Sequence, residues 1–116
     1  MKRTGFRVSG RVAEQLADTM FALSTPSRVE ILGCLLDGPH AVVDIMDALG
    51  MEQSAVSHQL RVLRDHALVT AERVGRHRVY ALADVHVRAL LEEALHHVEH
   101  RGKPAKLRRV ASGPTG

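Results

Sequence analysis

With 116 residues the chain has room for one domain, and at 45% hydrophobic and 25% charged residues it has the composition of a folded protein rather than a disordered one. Its single cysteine, Cys34, excludes an intrachain disulfide, and no run of about 20 apolar residues is present to cross a membrane as a helix. The net charge of +3 is unevenly placed: the last 16 residues carry five Lys or Arg and no acid, leaving 11 basic against 13 acidic residues before them, so a nucleic-acid site would have to be a local patch.

The opening MKRTGFRVSGRV lacks the apolar centre of a secretory leader, and a cytoplasmic location is expected. Residues 1–9 read as a flexible arm. Val12, Leu16, Met20 and Leu23 then recur at helical spacing, with Glu14 and Asp18 on another face, which predicts a helix over 10–23. Thr25-Pro26-Ser27 supplies a cap and a proline at the first helical position. The helix they start carries Val29, Ile31, Leu32, Leu35 and Leu36 and stops at Asp37-Gly38-Pro39. Cys34 lies in this apolar run and reads as a small buried hydrophobe. Aromatic residues are scarce (Phe6, Phe21 and Tyr80), so Ala, Val and Leu must build the core, which favours helices.

Residues 41–49, AVVDIMDAL, predict a short helix ended by Gly50, and a longer one follows over about 52–66. Val56, Leu60 and Leu63 mark the buried side of the longer helix, with the small Ala55 expected beside the preceding helix. Gln53, Ser54, Ser57, His58, Arg61 and Arg64 are left facing out. Two helices joined through a tight glycine turn form a helix-turn-helix. LVTAER at 68–73, Val74-Gly75-Arg76 and HRVYAL at 77–82 predict a β-hairpin with Arg73, Arg76, His77 and Arg78 on its tip and strands. A final helix runs from Asp84 to about His100, with Val87, Leu90, Leu91, Ala94, Leu95 and Val98 on one face. Residues 101–116 form a basic tail expected to be disordered, which leaves 10–100 as the domain. The fold class is mainly α with a β-hairpin wing: a winged helix-turn-helix.

That order of elements points to double-stranded DNA. A helix in the major groove needs short polar side chains near its N-terminal half, where base edges are close, and Gln53, Ser54, Ser57 and His58 supply them. Arg61 can reach a base edge or a phosphate, and Arg76 and Arg78 on the wing can reach the backbone or the adjacent minor groove. The runs ALSTPSRVEILGCL, GMEQSAVSHQLRVLRDHALV and RVGRHRVYAL resemble the ArsR/SmtB family of metal-responsive repressors over about residues 12–100. Ala67 stands where many members have glycine. The resemblance implies a homodimer through the terminal helices, an inverted-repeat operator, and a ligand whose binding releases the DNA.

Four of the eight histidines, His86, His96, His97 and His100, lie on the last helix. His97 and His100 are i, i+3 and share a face, whereas Asp84 and His86 converge only if Asp84 lies at the start of the helix. His86 and His97 point within about 20° of each other but are separated by about 16 Å along the axis, too far for one ion within one chain. An antiparallel partner helix would bring Asp84 and His86 of one subunit to His97 and His100 of the other, giving two equal sites. Val87, Leu91, Ala94 and Val98 beside them would form the seam. Three imidazoles and a carboxylate suit Zn(II).

The same set resembles the family's C-terminal-helix sensor site. Once bound to metal, His97 can donate its other ring N–H to backbone near the C-terminal end of the recognition helix, around His66, which would tie metal to helix position. The thiolate motif of other members is absent, since that stretch reads AVVDIM. Ni(II) or Co(II) is the alternative to Zn(II), because GMEQSAVSHQLRVLR and HHVEH are similar to nickel- and cobalt-sensing members. Those use larger shells, for which His96, Glu99 or the terminal amine are the available donors. A DNA-binding regulator with another inducer, or none, is the second reading. A hydrolase is not expected, as there is no His-Glu-x-x-His and no Ser/His/Asp order.

Overall fold

The computed structural model describes Gly5 and residues 7–101. Residues 1–4 and Phe6 of the expected arm, and the expected tail after Arg101, lie outside the described residues. The elements run α1 (Gly10–Ala22), α2 (Pro26–Leu36), β1 (His40–Ala41), α3 (Val42–Leu49), α4 (Gln53–Asp65), β2 (Val69–Val74), β3 (His77–Leu82) and α5 (Val85–His100).

Local chemistry sets most of these boundaries. The Ser9 hydroxyl accepts from the Val12 amide and starts α1. Thr25 does the same for Arg28, with Pro26 at the first helical position of α2. Asp84 starts α5, its Oδ1 accepting from the amides of His86 at 3.0 Å and Val87 at 2.9 Å. Neither α3 nor α4 has a side-chain N-cap, and both are held by their buried faces. At the end of α3, Gly50 takes a left-handed conformation (φ 66), and the Gly50 and Met51 amides both donate to the Met46 carbonyl. The end of α4 is built the same way around a residue less suited to it. Ala67 has φ 58, the Leu68 amide donates to the Leu63 carbonyl at 2.9 Å, and the Ala67 amide donates to that of Arg64 at 3.0 Å.

β2 and β3 pair antiparallel in register from Val69↔Leu82 to Val74↔His77, turning at Gly75 with φ 63. β1 adds to the other edge of β3 through His40↔Tyr80 and Ala41↔Val79, so the sheet order is β1-β3-β2. This third strand was not expected. Two residues are too short to carry an alternating pattern, and the strand exists only because β3 offers an edge.

The core joins Ile31, Leu32 and Leu35 of α2, Ile45 of α3 and Val56, Leu60 and Leu63 of α4 to Val69, Tyr80, Val87 and Leu91. Val87 and Leu91 therefore pack inside their own chain, which corrects their assignment to a seam between subunits; Ala94 and Val98 of that stripe remain exposed. Ala55 is also exposed rather than packed beside α3. On α1 only Ala22 is buried, while Leu16, Met20 and Phe21 stay open to solvent, Phe21 at 65% exposure. Burying these faces against a partner would be strongly favourable, at roughly 25 cal/mol per Å² of apolar area.

Candidate nucleic-acid interface and metal-ligand stripe

Because α4 buries Val56, Leu60 and Leu63, its other side is turned out of the protein. Gln53, Ser54, His58 and Arg61 are exposed and Ser57 is half-buried. The wing stands beside this face. One groove runs between α3, α4 and the hairpin and is lined by Gln53, Ser57, Arg73, Arg76, His77 and Arg78, with Val42, Val43, Met46 and Tyr80. A second continues along α4 past Arg61, Arg64 and Asp65, sharing Ser57, Arg78 and Tyr80 with the first. All seven residues expected to meet DNA thus lie on α4 or the adjoining wing.

The electrostatics of this face are those of an anion seat. Among the described residues the contacts between a basic nitrogen and a carboxylate are His66–Asp18 and Arg88–Glu92, so Arg61, Arg64, Arg73, Arg76 and Arg78 have no carboxylate within 4.0 Å. Arg73 and Arg78 are moreover directly opposed across the hairpin. Like charges in that position repel and destabilise the strand pair unless a counter-charge lies between them. A phosphate backbone supplies that charge without demanding a particular base.

The four metal-ligand candidates lie at the two ends of α5. Asp84 is the N-cap and His86 is in the first turn; His97 and His100 are in the last turn. All four are exposed. No group of three His, Cys, Asp or Glu able to hold a metal gathers among the described residues of one chain, in keeping with the length of α5. The ring of His100 is already oriented, since its Nδ1–H donates to the His96 carbonyl at 2.8 Å, which leaves Nε2 as the lone-pair nitrogen. Asp84 spends Oδ1 on the cap, and no described donor reaches Oδ2. By type, these imidazoles and the carboxylate are donors that suit a borderline divalent cation, and they stand at opposite ends of α5. His66 sits at the C-cap of α4. Its Nδ1–H donates to the Val62 carbonyl at 2.9 Å, and its Nε2 is 3.5 Å from Asp18 of α1.

Two features escaped the sequence reading. Arg28 is buried in α2, at 7% exposure. Its signal was present: residues 28, 31, 32 and 35 form one stripe, with the arginine at the end of the apolar face. Tyr80, which lines both grooves, is buried in the centre of the sheet. Cys34 is half-buried, and burial together with Asp37 and Asp44 pushes its thiol above the ordinary range. It is a poor thiolate donor.

Residues 25–71 match the family described as "Bacterial regulatory protein, arsR family". The chain is 55% identical over 93 residues to the HTH-type transcriptional regulator NmtR of Mycobacterium tuberculosis, covering 80% of this chain and 78% of the relative. The solution structure of apo-NmtR superposes with a TM-score of 0.70 at 47% identity, over 99% of this chain and 93% of the other. The homodimeric winged helix-turn-helix DNA-binding domain Mb0332 of Mycobacterium bovis, a possible ArsR-family regulator, gives a TM-score of 0.77 at 26% identity, over 90% of this chain and 99% of that one.

Proposed function

The chain belongs to the ArsR family of bacterial transcriptional regulators, not to a family of enzymes, and from that premise we propose that it is a cytoplasmic, homodimeric, metal-responsive repressor of an inverted-repeat operator. The observation that carries the DNA half is the row of five arginines without acidic partners beside the outward polar face of α4. Gln53, Ser54, Ser57, His58 and Arg61 read base edges or hold the near phosphates, and Arg76 and Arg78 hold the flanking backbone. The apolar surfaces of α1 and of α5 beyond Leu91 support the dimer, as does the homodimeric Mb0332 domain.

The ligand half rests on α5. Asp84 and His86 of one subunit, with His97 and His100 of the other, would hold the cation, and three imidazoles with a carboxylate favour Zn(II), with Ni(II) or Co(II) as the alternative. A bound cation supplies a fixed point that four donors from two chains share. Drawing these side chains together sets how the α5 pair crosses. Within each subunit α5 packs on α2 and β3, with Arg88 donating to the Leu36 carbonyl of α2, and α2 packs on α4, so that crossing would reach α4 through α2. If the resulting arrangement fits successive major grooves poorly, DNA and metal weaken each other equally, by about 1–3 kcal/mol in typical systems.

His97→Asn tests this reading. The variant keeps operator affinity in the absence of metal and loses release when metal is added. If it still releases DNA on metal addition, the ligand set is wrong; if wild type and variant are equally indifferent to metal, the protein is a regulator with another inducer or with none.

A further inference from the structure

Arg28 is the one charged side chain buried among the described residues, and no carboxylate neutralises it. Burying a cation is unfavourable unless its donors are satisfied, and here backbone and amide oxygens do so. Nε donates to the Ala22 carbonyl at 2.6 Å and one Nη donates to the Phe21 carbonyl at 3.3 Å. Both carbonyls belong to the last turn of α1, where a cation is favoured by the helix dipole, and that of Phe21 also accepts from the Ser24 amide and hydroxyl. The other Nη donates to Gln59 Oε1 at 3.0 Å, in the middle of α4. One rigid planar fork thus joins three helices: α2, which carries it, the end of α1, and α4 next to His58.

We infer that Arg28 is a positioning residue for operator recognition, fixing the angle between α1 and α4. The inference rests on the reading above, in which α1 contributes to the dimer seam and α4 enters the major groove. In a two-fold dimer the separation of the two recognition helices follows from how each is set against its own seam helix. Half-sites one helical turn apart, about 34 Å, are matched only if that angle is held. Capping α1 alone would require only the bonds to Phe21 and Ala22. The bond to Gln59 adds nothing to that cap, and it ends on the helix that meets DNA. Asp18 and His66 make a second, looser tie between the same two helices, at the C-terminal end of α4.

Gln59→Met separates the two roles, because it removes the acceptor on α4 and leaves the bonds to α1 intact. The full-length dimer, without metal, is titrated onto an operator of native half-site spacing and onto one lengthened by one base pair. The wild type prefers the native spacing. In Gln59→Met that preference falls by about tenfold, the size of one lost hydrogen bond to a charged group, while affinity for unrelated DNA and the dimer itself are unchanged. Gln59→Glu, which keeps an acceptor, retains the preference. Arg28→Lys, which keeps the charge but not the fork, loses it. If Arg28→Lys fails to fold, Gln59→Met decides alone. Undiminished spacing preference in Gln59→Met overturns the inference and leaves Arg28 as a cap for α1. A wild type that binds neither operator refutes the DNA-binding reading itself, and the inference with it.

Discussion

Replacing Arg73 and Arg78 together by Gln should weaken DNA binding while slightly strengthening the fold. The two arginines face each other across β2 and β3, and neither has an acidic partner. Removing a directly opposed like-charge pair should stabilise the hairpin by about 0.2–1 kcal/mol, seen as an unchanged or raised melting temperature. On DNA the sign reverses. Each phosphate contact contributes about 0.9 to the slope of log affinity against log salt, so losing two contacts in each of two subunits should flatten that slope by about 3.6. A fourfold rise in salt would then cost the wild type about a hundredfold more affinity than it costs the variant. Fluorescence anisotropy on a labelled operator at several salt concentrations measures the slope, and thermal denaturation measures the fold. A slope unchanged within one unit would refute the assignment of these arginines to the DNA face, and a lowered melting temperature would refute the argument from repulsion.

Three further outcomes follow from single residues. Asp84 both caps α5 and stands among the proposed ligands, so Asp84→Asn should keep the melting temperature and weaken metal binding, whereas Asp84→Ala should in addition destabilise by about 1 kcal/mol, read by urea denaturation. Ala67 holds a left-handed conformation that disfavours a side chain, so Ala67→Gly should raise stability by about 0.5–1 kcal/mol in the same assay; a loss would mean that the greater freedom of glycine in the unfolded chain outweighs the relief of strain. The Cys34 thiol is raised by burial and by Asp37 and Asp44, so less of it is thiolate at neutral pH than for a free cysteine. Its alkylation should be slower than that of a free thiol at pH 7 and should speed up as pH rises, and a rate equal to that of free cysteine would contradict the burial argument.

The helices and the hairpin were legible because each carries a periodic pattern or a punctuating residue. The spacing of Val56, Leu60 and Leu63 defined which side of α4 is open, and Gly75 with the strands around it marked the wing, but the register, in which Val74 is still paired with His77 rather than in the turn, comes from the structure. The positive φ at Ala67 explains why glycine suits that position, and nothing in the structure explains the alanine. What could not be read was the partner of each face. Periodicity placed Val87, Leu91, Ala94 and Val98 on one stripe, but only packing divides it into a buried half and an exposed half. β1 was invisible because its cause lies in β3 rather than in His40 and Ala41. Arg28 was passed over because a charged residue is ordinarily solvated, and its partners are carbonyls and an amide that leave no trace in the spacing of charges.

The central claim is that one surface binds DNA and that ligation across α5 releases it. The most direct measurement is the anisotropy of the preformed complex between the metal-free dimer and an inverted-repeat operator, titrated with Zn(II) and separately with Ni(II) and Co(II). The account predicts release that is complete near one cation per subunit, with Zn(II) effective. Release by Ni(II) or Co(II) alone would require donors beyond Asp84, His86, His97 and His100, and a complex that withstands all three ions would contradict the claim.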